Sequence, residues 1–131
     1  MKKIFITTLF MVFGFISLMA QGSAEITFEK TKHNFGAFPE SSPKVSCIFK
    51  FKNTGDKPLI IHQAIASCGC TIPTYTKKPL QPGESGEIRI VYDGTGKFPG
   101  HFRKSIAIRS NATKEIVRLV VEGDMTPTPQ E

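Results

Sequence analysis

Ser67-Cys68-Gly69-Cys70-Thr71 is the one cluster in this chain whose residue types point to chemistry rather than to packing. On an extended strand, residues i and i+2 face the same way, so both sulfurs can serve one site. A disulfide needs Cα atoms about 4.4–6.8 Å apart, and full extension puts i and i+2 near the upper end of that range. The intervening glycine lets the backbone draw in, and a strained bond of that kind is the reducible sort, suited to redox work. As thiolates, the pair makes half of a tetrahedral site for copper(I) or zinc. The other donors would have to be Cys47, His33, His62 or His101, none at a telling spacing. Nor is this the Cys-x-x-Cys of helix-opening oxidoreductases. A structural or locally oxidised pair ranks first, an unassigned redox role second, and metal binding third.

The compartment decides whether thiols oxidise, and the N-terminus speaks to it. Met1-Lys2-Lys3 is a short positive region, Ile4 to Met19 is almost wholly apolar, and Ala20-Gln21-Gly22-Ser23-Ala24 is small and polar. That is the form of a secretory signal peptide, so residues 1–20 are read as removed on export to a periplasm or the extracellular space, where disulfides persist. Cleavage after Ala24 would also leave a small residue at the cut; Ala20 is favoured. A retained anchor is the alternative, but the apolar run sits near the lower limit of a membrane span. With no cysteine at the junction, a cysteine-linked lipoprotein is not indicated. No stable membrane span is expected after cleavage.

Removing Lys2 and Lys3 lowers the formal charge of +6 to +4. The remaining bases are scattered among acids, with Lys77-Lys78 and Arg103-Lys104 the only adjacent pairs, whereas a nucleic-acid binder concentrates them on one stripe. A nucleic-acid partner is therefore not expected. Residues 124–131 are read as a disordered tail, because the prolines of Thr126-Pro127-Thr128-Pro129-Gln130-Glu131 deny ladder donors and nothing there can form a core.

The elements that position the cysteines repeat with period two. Val45, Cys47, Phe49 and Phe51 alternate with Ser46, Lys50 and Lys52; Ile88, Ile90 and Tyr92 alternate with Arg89. Phe102, Ile106 and Ile108 alternate with Arg103 and Arg109, and Val117, Leu119 and Val121 face away from Arg118 and Glu122. Leu59-Ile60-Ile61 opens a strand reaching Ala66, and Ile26 and Phe28 suggest one at the start. Turn signals separate them: Asn53-Thr54-Gly55-Asp56, Gln81-Pro82-Gly83-Glu84, Asp93-Gly94-Thr95-Gly96, Pro99-Gly100 and Ser110-Asn111. About seven short strands with such turns predict an all-β, immunoglobulin-like antiparallel sandwich over residues 25–123. There is no tryptophan, and the last strands hold no cysteine to cross-link Cys47, so apolar burial must hold the sheets together. Cys47 itself is expected to be a buried, unreactive small hydrophobe.

His33-x-Phe35-Gly36, Phe49-x-Phe51-x-Asn53-Thr54-Gly55, Pro58-Leu59-x-Ile61, Ser67-Cys68-Gly69-Cys70-Thr71, Pro82-Gly83-Glu84 and Gly100-x-Phe102 occur in one order across residues 26–123. In this the chain resembles the bacterial domain-of-unknown-function family marked by Asn-Thr-Gly, Cys-Gly-Cys-Thr and Pro-Gly-Glu. That family is similar in fold to the immunoglobulin-like domains of hydin and major sperm protein. The resemblance implies an exported, non-enzymatic sandwich and brings no activity with it; Cys47 lies outside the shared pattern. Most motif residues have structural readings: Asn53 and Gly55 for positive φ in a tight turn, Pro82-Gly83 for a type II turn, and Gly36 for a bulge or a switch of the first strand between sheets.

No nucleophile elbow, paired catalytic carboxylates or phosphate-binding glycine loop is present, and Asn111-Ala112-Thr113 matches a glycosylation sequon by chance at a turn. No catalytic, cofactor-binding or metal residues are assigned. Cys68, Gly69, Cys70 and Thr71 form a motif of unknown role. The expected function is a binding or structural module whose partner is a protein or an envelope polymer, met through loops or a strand edge. The opposing expectation is a thiol-redox or soft-metal protein centred on Cys68 and Cys70.

Overall fold

The computed structural model describes residues 22–129; the signal peptide read at residues 1–20 and the end of the tail, Gln130 and Glu131, lie outside that range. Eight strands follow in order: β1 (Ile26–Phe28), β2 (Lys32–Pro39), β3 (Lys44–Asn53), β4 (Ile61–Ala66), β5 (Thr71–Tyr75), β6 (Ser85–Asp93), β7 (Gly100–Ser110) and β8 (Ile116–Thr126). They form two four-stranded sheets, β1-β3-β6-β5 and β2-β8-β7-β4. All neighbours are antiparallel except β2, which runs parallel to β8. The protein is thus an all-β sandwich, and no helix among the described residues is long and apolar enough to cross a membrane.

Alternation places the core where the sequence puts it. In β3, Cys47, Phe49 and Phe51 turn inward opposite Ile90, Ile88 and Gly86 of β6, while Ser46, Ile48, Lys50 and Lys52 face out. Phe49 and Phe51 are 0% and 1% exposed; fully burying such side chains stabilises by about 1.5–3 kcal/mol each. Ile106 and Ile108 of β7 and Val117, Leu119 and Val121 of β8 complete the core from the other sheet.

Two strands do not stand out in the alternation. β2 carries Gly36 and Pro39, and β5 carries Pro73. Each has a single ladder neighbour, β8 or β6, and an edge strand tolerates a residue that cannot donate. Gly36 has φ 71°, and the β2–β8 register shifts between Asn34 and Ala37, so it makes a bulge. The change of sheet falls earlier, between Phe28 and Lys32. The expected tail boundary is corrected as well. Asp124, Met125 and Thr126 belong to β8, and Met125 is 2% exposed between the sheets, which anchors the strand beyond residue 123.

Candidate functional site

The chain leaves one sheet at Ala66, the end of edge strand β4, and enters the other at Thr71, the start of edge strand β5. Residues 67–70 make the crossing, so the cysteine motif is the seam between the sheets. Main-chain bonds pin it on both sides. Ser67 N donates to Ser105 O at 2.9 Å, Thr71 N to Cys68 O at 3.1 Å, and Asp93 N to Cys70 O at 2.8 Å. Ser105 N also donates to Ser67 Oγ at 3.2 Å.

Within the turn, Cys68 and Cys70 are joined as a disulfide with Cα atoms 5.2 Å apart. The Cys70 N–H donates back to Cys68 Sγ at 3.1 Å, and Thr71 Oγ1 lies 3.8 Å from Cys70 Sγ. Both cysteines are half-buried, Gly69 is exposed and Thr71 is buried. Gly69 is not among the glycines with positive φ, and a Cβ on it would meet nothing within 4 Å. The backbone therefore draws in without using glycine's left-handed region.

Below the seam, Cys70 packs on a second apolar cluster of Phe38, Tyr92, Phe102 and Met125, with Phe35 at its margin. Tyr92 of β6 and Phe102 of β7 stack with ring centroids 3.8 Å apart and planes 6° from parallel. Such a pair adds about 0.5–1.5 kcal/mol beyond area burial, and here it ties the two sheets together. Burial, then the neighbouring Asp93, raises the Tyr92 phenol above its ordinary value. Asp93 Oδ1 accepts hydrogen bonds from the Thr95 hydroxyl and the Thr95 N–H, which hold its carboxyl below the usual range and fix the start of the β6–β7 loop.

The sequence motifs separate to the two ends of the sandwich. Phe35, Gly36, the cysteine turn and Phe102 lie at the seam end. Asn53-Thr54-Gly55, Pro58-Leu59 and Pro82-Gly83-Glu84 lie at the other, and hydrogen bonds account for them. Asn53 N donates to Glu84 O at 2.9 Å, and its carbonyl accepts Gly83 N at 2.8 Å. Its side chain donates to Lys57 O at 2.7 Å and Leu80 O at 2.9 Å, and accepts Gly55 N at 2.9 Å. Asn53 is 0% exposed, and neither it nor Gly55 has positive φ, so the turn-conformation reading is corrected. Asn53 is a buried hydrogen-bond hub, and Gly55 is bare because a Cβ there would collide with the main chain of Ser23 to Glu25. Pro82-Gly83 does form the expected turn: Gly83 has φ 87°, and Glu84 N bonds Gln81 O at 2.9 Å.

The other candidate donors are dispersed. Cys47 is 8% exposed in the main core, where burial raises its thiol to about 11 against a small opposing effect of Lys30. His33 accepts a hydrogen bond from Lys30 Nζ at 2.8 Å, and burial, then Lys30, lowers its pKa. His62 lies exposed on β4, and His101 Nδ1 pairs with Asp124 at 2.9 Å on the outer face. Among the described residues, no group of three or more His, Cys, Asp or Glu is placed to hold a metal ion.

One residue escaped the sequence reading. Phe98, in the Gly94–Pro99 connection that follows the Asp93 anchor at the seam end, is 96% exposed. Its signal was readable: a lone aromatic in Gly96-Lys97-Phe98-Pro99-Gly100 has no alternating partner to pack with.

The fold recurs among solved structures. A protein of unknown function from Porphyromonas gingivalis W83 superposes with TM-score 0.68 at 18% identity, over 86% of this chain and 51% of that one. This chain thus spans about half the length of that protein. The ASH/PapD-like domain 7 of human CEP192 gives TM-score 0.63 at 11% identity, over 82% of this chain and 89% of that one. The periplasmic chaperone SfaE gives 0.53 at 13% identity, over 79% and 58%. At these identities the likeness is one of fold, that of immunoglobulin-like and PapD-like sandwiches. No curated protein matches the chain. The model of the family described as protein of unknown function DUF1573 matches residues 26–125, nearly all of the sandwich, and the chain belongs to that family.

Proposed function

We propose that the protein is an exported binding module that engages another protein through the seam end of the sandwich. The observation that carries this reading is Phe98, almost fully exposed in a loop at the end that also bears the cysteine turn. A large aromatic left in water is the kind of anchor that protein interfaces bury, and Lys97 beside it adds a charge for the rim. Export rests on the N-terminal segment and suits an oxidised cysteine pair. A protein partner is in keeping with the fold's likeness to a periplasmic chaperone.

Site-specific photo-crosslinking in intact cells tests the reading. A photoreactive phenylalanine at position 98 should give a discrete protein adduct, and one at Pro82, at the opposite end, should give none. Equal adducts from both positions, or none from position 98, would refute it.

A further inference from the structure

The Cys68–Cys70 bond supplies little that the fold lacks without it. It closes a loop between residues two apart in sequence, and the restriction a disulfide places on the unfolded chain shrinks with loop length. The crossing is also pinned independently by the bonds from Ser67 N, Thr71 N and Asp93 N. Reduction should therefore leave the sandwich standing, which a bond that cycles between states requires.

The two sulfurs are not equivalent. The Cys70 N–H points at Cys68 Sγ at 3.1 Å, a shorter contact than the 3.8 Å between the Thr71 hydroxyl and Cys70 Sγ, and a hydrogen bond to the charged form favours it. Cys68 is therefore the better leaving thiolate, and the better leaving group sets which sulfur is attacked. The turn reaches the surface at Gly69, which carries no side chain to obstruct approach.

We propose that Cys68–Cys70 is a thiol–disulfide exchange site whose substrate is a protein dithiol, with the Cys70 amide stabilising the departing Cys68 thiolate. The substrate's first thiolate attacks Cys70 Sγ. A new S–S bond forms there, the Cys68–Cys70 bond breaks, and its electron pair passes to Cys68 Sγ. The substrate's second thiol, having lost its proton, attacks the substrate sulfur of this mixed disulfide and releases Cys70 as a thiolate. The substrate is oxidised to its disulfide, the Cys68–Cys70 pair is reduced, and the two protons lost by the substrate are balanced by those the two cysteines take up. The inference stands on the turn and does not require Phe98 to be an anchor.

The mature chain is equilibrated in glutathione redox buffers, quenched with an alkylating reagent and read by mass spectrometry and circular dichroism. Cys68 and Cys70 should become alkylated together within the glutathione range while the β-sheet signal stays unchanged. A pair that stays oxidised in the most reducing glutathione buffer, or a fold lost on reduction, would overturn the proposal. The single variants test the asymmetry, because Cys70→Ser keeps the amide beside Cys68. At pH 6, Cys68 in that variant should react with 5,5′-dithiobis(2-nitrobenzoate) about threefold faster than Cys70 in Cys68→Ser, because a thiol one pKa unit lower is about tenfold more ionised while its thiolate is about threefold less nucleophilic. Equal or reversed rates would also overturn it. The wild-type titration decides the matter should either variant fail to fold.

Discussion

Replacing Asn53 with alanine separates the two explanations of the Asn-Thr-Gly motif. The side chain makes three short bonds, donating to Lys57 O and Leu80 O and accepting Gly55 N, from a position with no solvent exposure. Each such bond contributes about 0.5–1.5 kcal/mol net, and an unpartnered buried group costs more than the average. Leu80 O keeps a second partner in Leu59 N at 2.8 Å, so its loss is cushioned. Gly55 N has no substitute acceptor in the network, and Lys57 O can turn to water. The expected loss is about 2–4 kcal/mol, a large part of the 5–15 kcal/mol typical of a domain. In urea unfolding, with a slope of about 2 kcal/mol/M, the midpoint should fall by about 1–2 M with the slope unchanged. Glycine at position 53 is the decisive control. If Asn53 served the turn by adopting a left-handed conformation, glycine would match or exceed the wild type. The hydrogen-bond hub predicts that glycine costs at least as much as alanine. A glycine variant as stable as wild type, or an alanine loss below about 0.5 kcal/mol, the range of neutral surface changes, refutes the hub.

Phe49→Ala should cost about 3–5 kcal/mol by chemical denaturation, because it empties a fully buried site between the sheets; a loss typical of the surface would mean that the β3 register is wrong. Cys47, raised from 9.0 to about 11 by burial, stays protonated through neutral pH and sheds its proton only as the pH approaches that value. At pH 8 its alkylation in the folded protein should be about a hundredfold slower than in denaturant, since two pKa units set the thiolate fraction, and equal rates would contradict the burial. N-terminal sequencing of the protein from its native compartment should begin at Gln21, and an intact Met1 in membrane fractions would instead indicate an anchor.

Alternation alone determined the sandwich and its core. A strand with one buried face must repeat apolar residues every second position, and β3, β6 and β8 do so without interruption. The positive-φ glycine of Pro82-Gly83 was equally legible, because that requirement is local to the turn. β2 and β5 were hidden by Gly36, Pro39 and Pro73, whose presence depends on edge positions that only sheet order reveals. Adjacency in the sequence made Cys68 and Cys70 candidates for one another, but the sequence could not say that their turn joins the two sheets above the stacked Tyr92 and Phe102. Asn53 is the clearest case of a tertiary decision. Its side chain finds Leu80, twenty-seven residues away, and its main chain finds Gly83 and Glu84. Hydrogen-bond partners brought together by sheet packing leave no periodic trace in the chain, whereas burial of every second side chain does.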